Sequence, residues 1–482
     1  MKPIKALLNL LIISLLLTSC FEDGDDVTNP QAVSVEVKDF VWSGMNVYYL
    51  YKSNISNLAD TRFSSNQEYT NYLSSYETPE ALFESLIYDS ENVDRFSRIY
   101  PDYTVLEASF DGTYTTNGME IALYRAPNSS TDLIGVVRLV LPNTSASNND
   151  IERGDLFYAV DGNTLTVDNY LSLLTQDNYS ISLATYNDNN TTDTADDYME
   201  PNGETFSLTG TIYTEDPIYT SNILTVNGQN VGYLMYNGFT GGSENQLNNV
   251  FANFKNNNVQ HLVVDLRYNP GGTVSTETYL ASMITGQFTG ELFQKLIYNE
   301  NFASNNRNYN FQNQLENGNT INSLNLNKVY VLATERSASA SEGLINGLSS
   351  YINVVHIGEK TVGKTQASIT IYDSANFEKA GANQNHTYAM QPLVATGVNK
   401  DNDEVPGTGL TPTVGFEYSE NPLNLGVLGN ENEPMLALAL ADIENQTGKS
   451  TINKPTSNSK SPLVFIKDSN DFNPLEGGMR ID

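Results

Sequence analysis

The chain has 482 residues, enough for two to four domains. It carries 57 Asp and Glu against 25 Lys and Arg, a net charge of −32. That balance excludes the basic face needed to bind nucleic acid, and electrostatic docking on anionic lipid. One cysteine and three scattered histidines (His261, His356, His386) exclude a disulfide framework and give no clustered zinc ligands, so neither metal nor cofactor is expected.

The N-terminus reads as a targeting segment: Lys2 and Lys5, then an apolar run from Ala6 to Leu17, too short to span a bilayer. It closes on Leu17-Thr18-Ser19-Cys20, the lipobox pattern. This predicts a lipoprotein signal peptide over 1–19, a lipidated Cys20 and a polar tether over 20–33. The protein would then be held to a membrane of the cell envelope by lipid alone, facing either the periplasm or the cell surface. The alternative is a plain signal peptide with an incidental cysteine.

Residues 34–102 read as a helical segment. Phe40, Val41, Met45 and Tyr48 recur at helical spacing, and Thr78-Pro79-Glu80 opens a second helix with an N-cap and Pro at its first position. Residues 103–204 change to short strands: Glu120–Tyr124, Ile134–Val140 and Asp155–Val160, the last turned by Asp161-Gly162 toward a strand at Leu165. A short helix is expected over Val167–Leu174 and an irregular loop over Asn187–Glu204. From 205 to 446 strands alternate with helices. His261–Leu266, Val329–Ala333 and Val354–Ile357 are apolar runs of the kind buried on both faces of a sheet. Ser243–Lys255 and Met435–Ile443 read as helices, and 447–482 as a polar, irregular tail. The fold class is α/β multidomain.

Three stretches carry possible chemistry. Ser337-Ala338-Ser339-Ala340-Ser341-Glu342 lies between a buried strand and a helix. A serine there would have helix N–H groups behind it, able to hold an oxyanion; Ser339-x-x-Glu342 equally fits a capping box. Asp265-Leu266-Arg267-Tyr268-Asn269-Pro270-Gly271-Gly272 ends a buried strand in a turn whose N–H groups could point at a ligand, or is simply a turn. In Gly358–Gln366, Lys364 follows an apolar residue and a glycine. If buried, its amine would lose its proton easily and could serve as a base; otherwise it is a surface lysine.

Together these stretches resemble the C-terminal processing, or tail-specific, peptidases. In that family a strand ending in a Gly-rich turn is followed by Ser-Ala-Ser-Glu, then by Gly-Lys 25 residues after the nucleophilic serine, the distance from Ser339 to Lys364 here. Asn230-Val231-Gly232-Tyr233, Gly407-Thr408-Gly409-Leu410-Thr411-Pro412 and Asp94-Arg95-Phe96-Ser97 resemble further family segments. Ile151–Asp155 with Val160-Asp161-Gly162 looks like part of a PDZ domain. The resemblance implies a serine endopeptidase with Ser339 as nucleophile and Lys364 as base, and a core like the Clp protease and crotonase superfamily. The oxyanion hole would be Ala340 with Gly271 or Gly272. The substrate would be a protein with an exposed, unfolded C-terminus. Where the family often has a glutamine four residues after the lysine, this chain has Ser368, with Gln366 nearby on the same strand face; either could orient the amine. The PDZ carboxylate loop corresponds to Gly118-Met119-Glu120, whose glutamate would repel a free C-terminus. The rival reading is a non-catalytic lipoprotein that binds peptides. A Ser-His-Asp hydrolase is disfavoured, because His356 falls within a core strand and His386 in an exposed Asn-rich stretch.

Overall fold

A computed structural model describes residues 30–446, 463–472 and 480–481; Cys20 and the segment before it lie outside them. Helices α1 (Pro30–Tyr48), α2 (Asn66–Ser74) and α3 (Pro79–Ser85) pack together. Val37, Phe40, Val41 and Met45 of α1 meet Leu73, Leu82 and Phe83, and also Ile371 and Met390 from far along the chain. Thr78 caps α3 by accepting the Ala81 amide at 3.1 Å, with Pro79 at the first position. The helix α1 begins at Pro30, so residues 30–33 are helical rather than tether; proline fits the first turn because its missing N–H has no partner there anyway. Strand β1 (Arg98–Tyr100) and helix α4 (Tyr103–Phe110) follow.

The next region is built from β2 (Thr113–Thr116), β3 (Met119–Arg125), β4 (Leu133–Val140), α5 (Ser145–Asn148), β5 (Leu156–Val160), β6 (Asn163–Thr164), α6 (Tyr170–Leu174), β7 (Asn178–Asn187), β8 (Tyr198–Thr209) and β9 (Thr211–Thr214). Asp161 (φ 49°) and Gly162 (φ 73°) make the tight turn between β5 and β6, both in the left-handed region that such turns need. The main sheet runs β3-β4-β5-β7-β8, while β9 pairs with β2. The loop expected over 187–204 is therefore half strand: only 188–197 connects β7 to β8. As an edge strand, mostly exposed on both faces, β8 has no alternation to read. It also crosses position 204, so this sheet extends to Thr209 and its β2–β9 partner ribbon to Thr214.

The remainder comprises β10 (Ile218–Val226), β11 (Gln229–Tyr236), α7 (Glu244–Asn256), β12 (Val259–Asp265), α8 (Val274–Ile284), β13 (Leu292–Tyr298), β14 (Arg307–Asn310), β15 (Lys328–Ala333), α9 (Ala340–Ser349), β16 (Asn353–Gly358), β17 (Gln366–Ser368), β18 (Ile371–Tyr372), β19 (Ala389–Gln391), β20 (Leu393–Asn399) and α10 (Pro434–Gln446). The central sheet runs β10-β11-β12-β15-β16, parallel from β11 onward. Leu247, Phe251, Leu280 and Leu344 of α7, α8 and α9 cover one face; Met435, Leu436, Ala439 and Ile443 of α10 cover the other. Covering both faces explains the near-continuous apolar runs Leu262–Val264 in β12 and Val329–Ala333 in β15. A second, antiparallel sheet runs β14-β13-β20-β17, and β1 pairs with β19. The tail is not wholly irregular: β21 (Phe465–Asp468) adds to β3, and Arg480 and Ile481 return to the core. No helix among the described residues is long and apolar enough to cross a membrane.

Candidate active site

The loops leaving the C-terminal ends of β12, β15 and β16 meet at one edge of the parallel sheet, where ligand sites form in open α/β folds. Two serines stitch the first two loops together. Ser337 donates to the Leu266 carbonyl at 2.7 Å and Ser341 to the Asn269 carbonyl at 2.9 Å, while the Ala338 amide also reaches Asn269 O at 3.2 Å. Between them Ser339 is fully buried, and its hydroxyl has no hydrogen-bond partner. Its backbone is held at φ 61°, ψ −115°, a sharp strand-to-helix turn that a non-glycine residue adopts only when its surroundings impose it. The Glu342 carboxylate accepts the Ser339 amide at 2.9 Å, yet the Ser339 hydroxyl is not spent on capping. Of the three serines, only Ser339 has its oxygen to spare.

Gly271 and Gly272 lie directly against this turn. A Cβ at Gly271 (φ 109°) would stand 2.7 Å from Ser339 Cβ and 3.0 Å from the Ala340 nitrogen, so only glycine allows this approach. The Gly271 amide is taken by Asn269 Oδ1 at 2.8 Å. No hydrogen bond from the amides of Gly272 or Ala340 occurs among the described residues. Those two N–H groups therefore have no protein acceptor among the described residues, whereas that of Gly271 does.

Lys364 comes to the site through Glu342. One carboxylate oxygen accepts both the Ser339 amide (2.9 Å) and the Lys364 amide (2.8 Å); the other accepts the Gly363 amide (2.7 Å) and the Thr361 hydroxyl. Sharing one oxygen places the two amide nitrogens no further apart than those two bonds end to end, a gap that a lysine side chain can span. Lys364 is 4% exposed. Burial lowers its pKa from 10.5 to about 8, aided by the positive charge of Arg98, with Asp94 and Glu342 pulling upward and Arg480 downward. The Ser339 hydroxyl and the Lys364 amine share no hydrogen bond in this state.

The N-terminal segment walls the amine in. The Phe96 ring centroid lies 5.0 Å from Lys364 Nζ. Arg95 donates to the carbonyls of Val362, Gly363 and Gly407 at 3.0, 3.2 and 3.1 Å, pinning the lysine loop. Asp94 accepts the Tyr49 hydroxyl (2.7 Å) and the amides of Phe96 and Ser97 (3.1 and 2.8 Å). The segment Gly407–Pro412 supports the loop as well, through Thr361 N to Leu410 O and Leu410 N to Thr361 Oγ1.

Several expectations change. Gln366 does not meet Lys364: its amide donates to the Tyr51 hydroxyl at 3.2 Å and its Oε1 is buried without a partner. Ser368 is buried on β17, where its carbonyl accepts the Ile481 amide. The amides of Gly118 and Met119 are taken by Thr116 Oγ1 and Asn117 Oδ1, both at 3.0 Å, leaving neither for a terminal carboxylate. Glu120 is not a bare repelling charge, since it pairs with Arg336 at 2.7 Å. Met119, Glu120 and Arg336 line a cavity of about 730 Å³ that runs between the β-rich region and Gly271-Gly272. His386, expected exposed, holds Asp373 at 2.9 Å with a side chain only 5% exposed. His356 is a core residue of β16, and burial lowers its pKa.

Sequence reasoning missed the buried ion cluster beneath the Gly-Gly turn. Arg267, wholly buried, meets Asp265 (2.7 Å), Glu433 (2.8 Å) and Glu420 (3.0 Å), and so ties the turn to the start of α10. Arg153 reaches Glu420 and donates to the Tyr268 hydroxyl (2.7 Å), linking the β-rich region to the same cluster. An arginine two residues after an aspartate at the end of an apolar strand was the available signal.

The comparisons with known proteins agree with this geometry. The model of the peptidase S41 N-terminal domain matches residues 36–98, and that of peptidase family S41 matches 230–414; together they cover just over half of the chain. A carboxyl-terminal-processing protease from Picosynechococcus sp. is 26% identical over 266 residues, which is 54% of this chain and 57% of that protein, so the match spans little more than half of the relative. A solved structure assigned to the S41 proteases, from Bacteroides fragilis NCTC 9343, superposes with a TM-score of 0.68 at 24% identity, covering 84% of this chain and 97% of that one. The second family model spans all three loops that converge on Ser339, and the first contains the Asp94–Ser97 segment that closes over the lysine: the chain belongs to peptidase family S41.

Proposed function

We propose that the protein is a serine endopeptidase acting on unfolded or C-terminally exposed protein chains, with Ser339 as nucleophile and Lys364 as general base. The observation that carries this reading is the pairing of a buried hydroxyl that has no partner with a buried lysine near pH 8, clamped to the same carboxylate. The neutral Lys364 amine takes the hydroxyl proton as Ser339 Oγ bonds to the substrate carbonyl carbon. The carbonyl oxygen becomes an oxyanion facing the Gly272 and Ala340 N–H groups. The C–N bond then breaks, and the Lys364 ammonium returns the proton to the leaving amine. Water, deprotonated by the same amine, attacks the acyl-serine and releases a carboxylate product. Closing the contact between Oγ and Nζ falls to side-chain torsions, because Glu342 fixes both backbones.

The β-rich region is read as a PDZ-like module and the core as a relative of the Clp and crotonase proteins. Because the Gly118 and Met119 amides are occupied, the module would take an internal strand by β-addition rather than a chain terminus. Lipid attachment at Cys20 would put this chemistry in the cell envelope. The test is turnover of casein by the wild type, Ser339→Ala and Lys364→Ala. Loss in both variants supports the mechanism, and equal turnover in all three removes it.

A further inference from the structure

The chain's own Arg480 and Ile481 lie as an extended strand at the mouth of the site. The Arg480 amide donates to Gly272 O at 3.0 Å, its carbonyl accepts the Val274 amide at 3.2 Å, and the Ile481 amide donates to Ser368 O at 3.2 Å. Arg480 thus bridges Thr273 on one side and Ser368 on the other, both in parallel register. β17, which carries Ser368, is the edge strand of its sheet, where main-chain groups are open to a further strand. The carbonyl that receives Arg480 belongs to Gly272, the neighbour of Gly271, which lies directly against the Ser339 turn.

The side chains are held as well. The Arg480 guanidinium stacks 3.8 Å from the centroid of the Phe110 ring. Ile481 packs on the cluster of Val274, Leu296, Ala367 and Val394. Ser339 has no exposed surface, and the Arg480 charge is among the influences that hold the Lys364 pKa down.

We propose that the groove between Gly272–Val274 and Ser368 is the substrate-strand site, that it takes an extended peptide carrying a basic residue followed by an aliphatic one, and that the chain occupies it with its own Arg480-Ile481. Main-chain bonds to three backbone positions give sequence-independent affinity, while Phe110 and the Val274 cluster select the side chains. The proposal rests on the peptidase reading for its consequence, a self-occupied enzyme that incoming substrate must displace.

The test uses the full chain carrying Ser339→Ala, with and without Arg480→Glu and Ile481→Gly, and a fluorescein-labelled peptide Glu-Gly-Gly-Met-Arg-Ile-Asp followed by anisotropy. Vacating the groove should tighten peptide binding by tenfold or more, and replacing the peptide's arginine by glutamate should abolish that binding. Equal affinity of the two chains, or indifference to the arginine, overturns the proposal. In chains that keep Ser339, the same tail substitutions should raise casein turnover several-fold, and free peptide should inhibit it. Turnover absent from every chain alongside the expected binding difference sinks the peptidase reading and leaves the strand site. Normal turnover with equal binding overturns the proposal and leaves the peptidase reading standing. Arg480→Gln serves as a milder variant that keeps every backbone bond.

Discussion

Replacing Arg98 by glutamine should move the alkaline rise of peptidase activity to higher pH. Lys364 is held at about 8 against an ordinary 10.5, so about one amine in ten is neutral at pH 7, where a solvated lysine offers only about three in ten thousand. That gain of roughly 300-fold in working base corresponds to about 3 kcal/mol, taken from burial rather than from a partner. Arg98 is the charge that adds most to the effect of burial. It is exposed, so its removal should leave the fold intact, and solvent screening limits its influence to roughly a few tenths of a pH unit. The assay is kcat/KM for a quenched fluorescent peptide from pH 6 to pH 10. The wild type should rise with an apparent pKa near 8, and Arg98→Gln should be shifted upward and roughly twofold slower at pH 7. A wild-type profile that is flat between pH 6 and 9, or a shift of the variant toward acid, would refute the assignment of Lys364 as the base.

The same titration has a consequence for stability. Because the folded-state pKa is below the unfolded one, the charged amine destabilises the fold below pH 8, and that cost fades as pH rises toward 10.5. Lys364→Met should therefore be more stable than the wild type at pH 7, by up to about 3 kcal/mol, with the advantage shrinking toward pH 10 in denaturant titrations. Among the three serines of the turn, Ser339→Ala should lose turnover completely. Ser337→Ala and Ser341→Ala should keep measurable activity and lose about 1 kcal/mol of stability each, since their hydroxyls bind carbonyls of the neighbouring loop. Arg267→Ala should cost about 3–5 kcal/mol in the same titrations, because it strands Asp265, Glu420 and Glu433 without their cation.

Much of the core was legible in the sequence because burial leaves a pattern. β12, β15 and β16 lie between helices and carry apolar runs at their centres, and Thr78-Pro79 marked a helix start through capping chemistry that is purely local. β8 was illegible for the opposite reason: an exposed edge strand has no face to keep apolar. Within the site, the family resemblance pointed to Ser339 and Lys364, but not to the carboxylate that joins their backbones. Glu342 looked like half of a capping box, and only the fold reveals that the same carboxylate also receives Thr361, Gly363 and Lys364. Likewise nothing local in Asn269 tells that its side chain occupies the Gly271 amide. Arg480 and Ile481 sit in a polar stretch without periodicity, and they bind through backbone groups, which sequence patterns do not record.

Reaction of the intact protein with a serine-directed acylating probe, followed by peptide mass spectrometry, tests the central claim most directly. The account predicts one adduct, on Ser339, absent from Ser339→Ala and formed far more slowly in Lys364→Ala. An adduct on Ser337 or Ser341, or labelling of Ser339 at the same rate with and without the Lys364 amine, would contradict it.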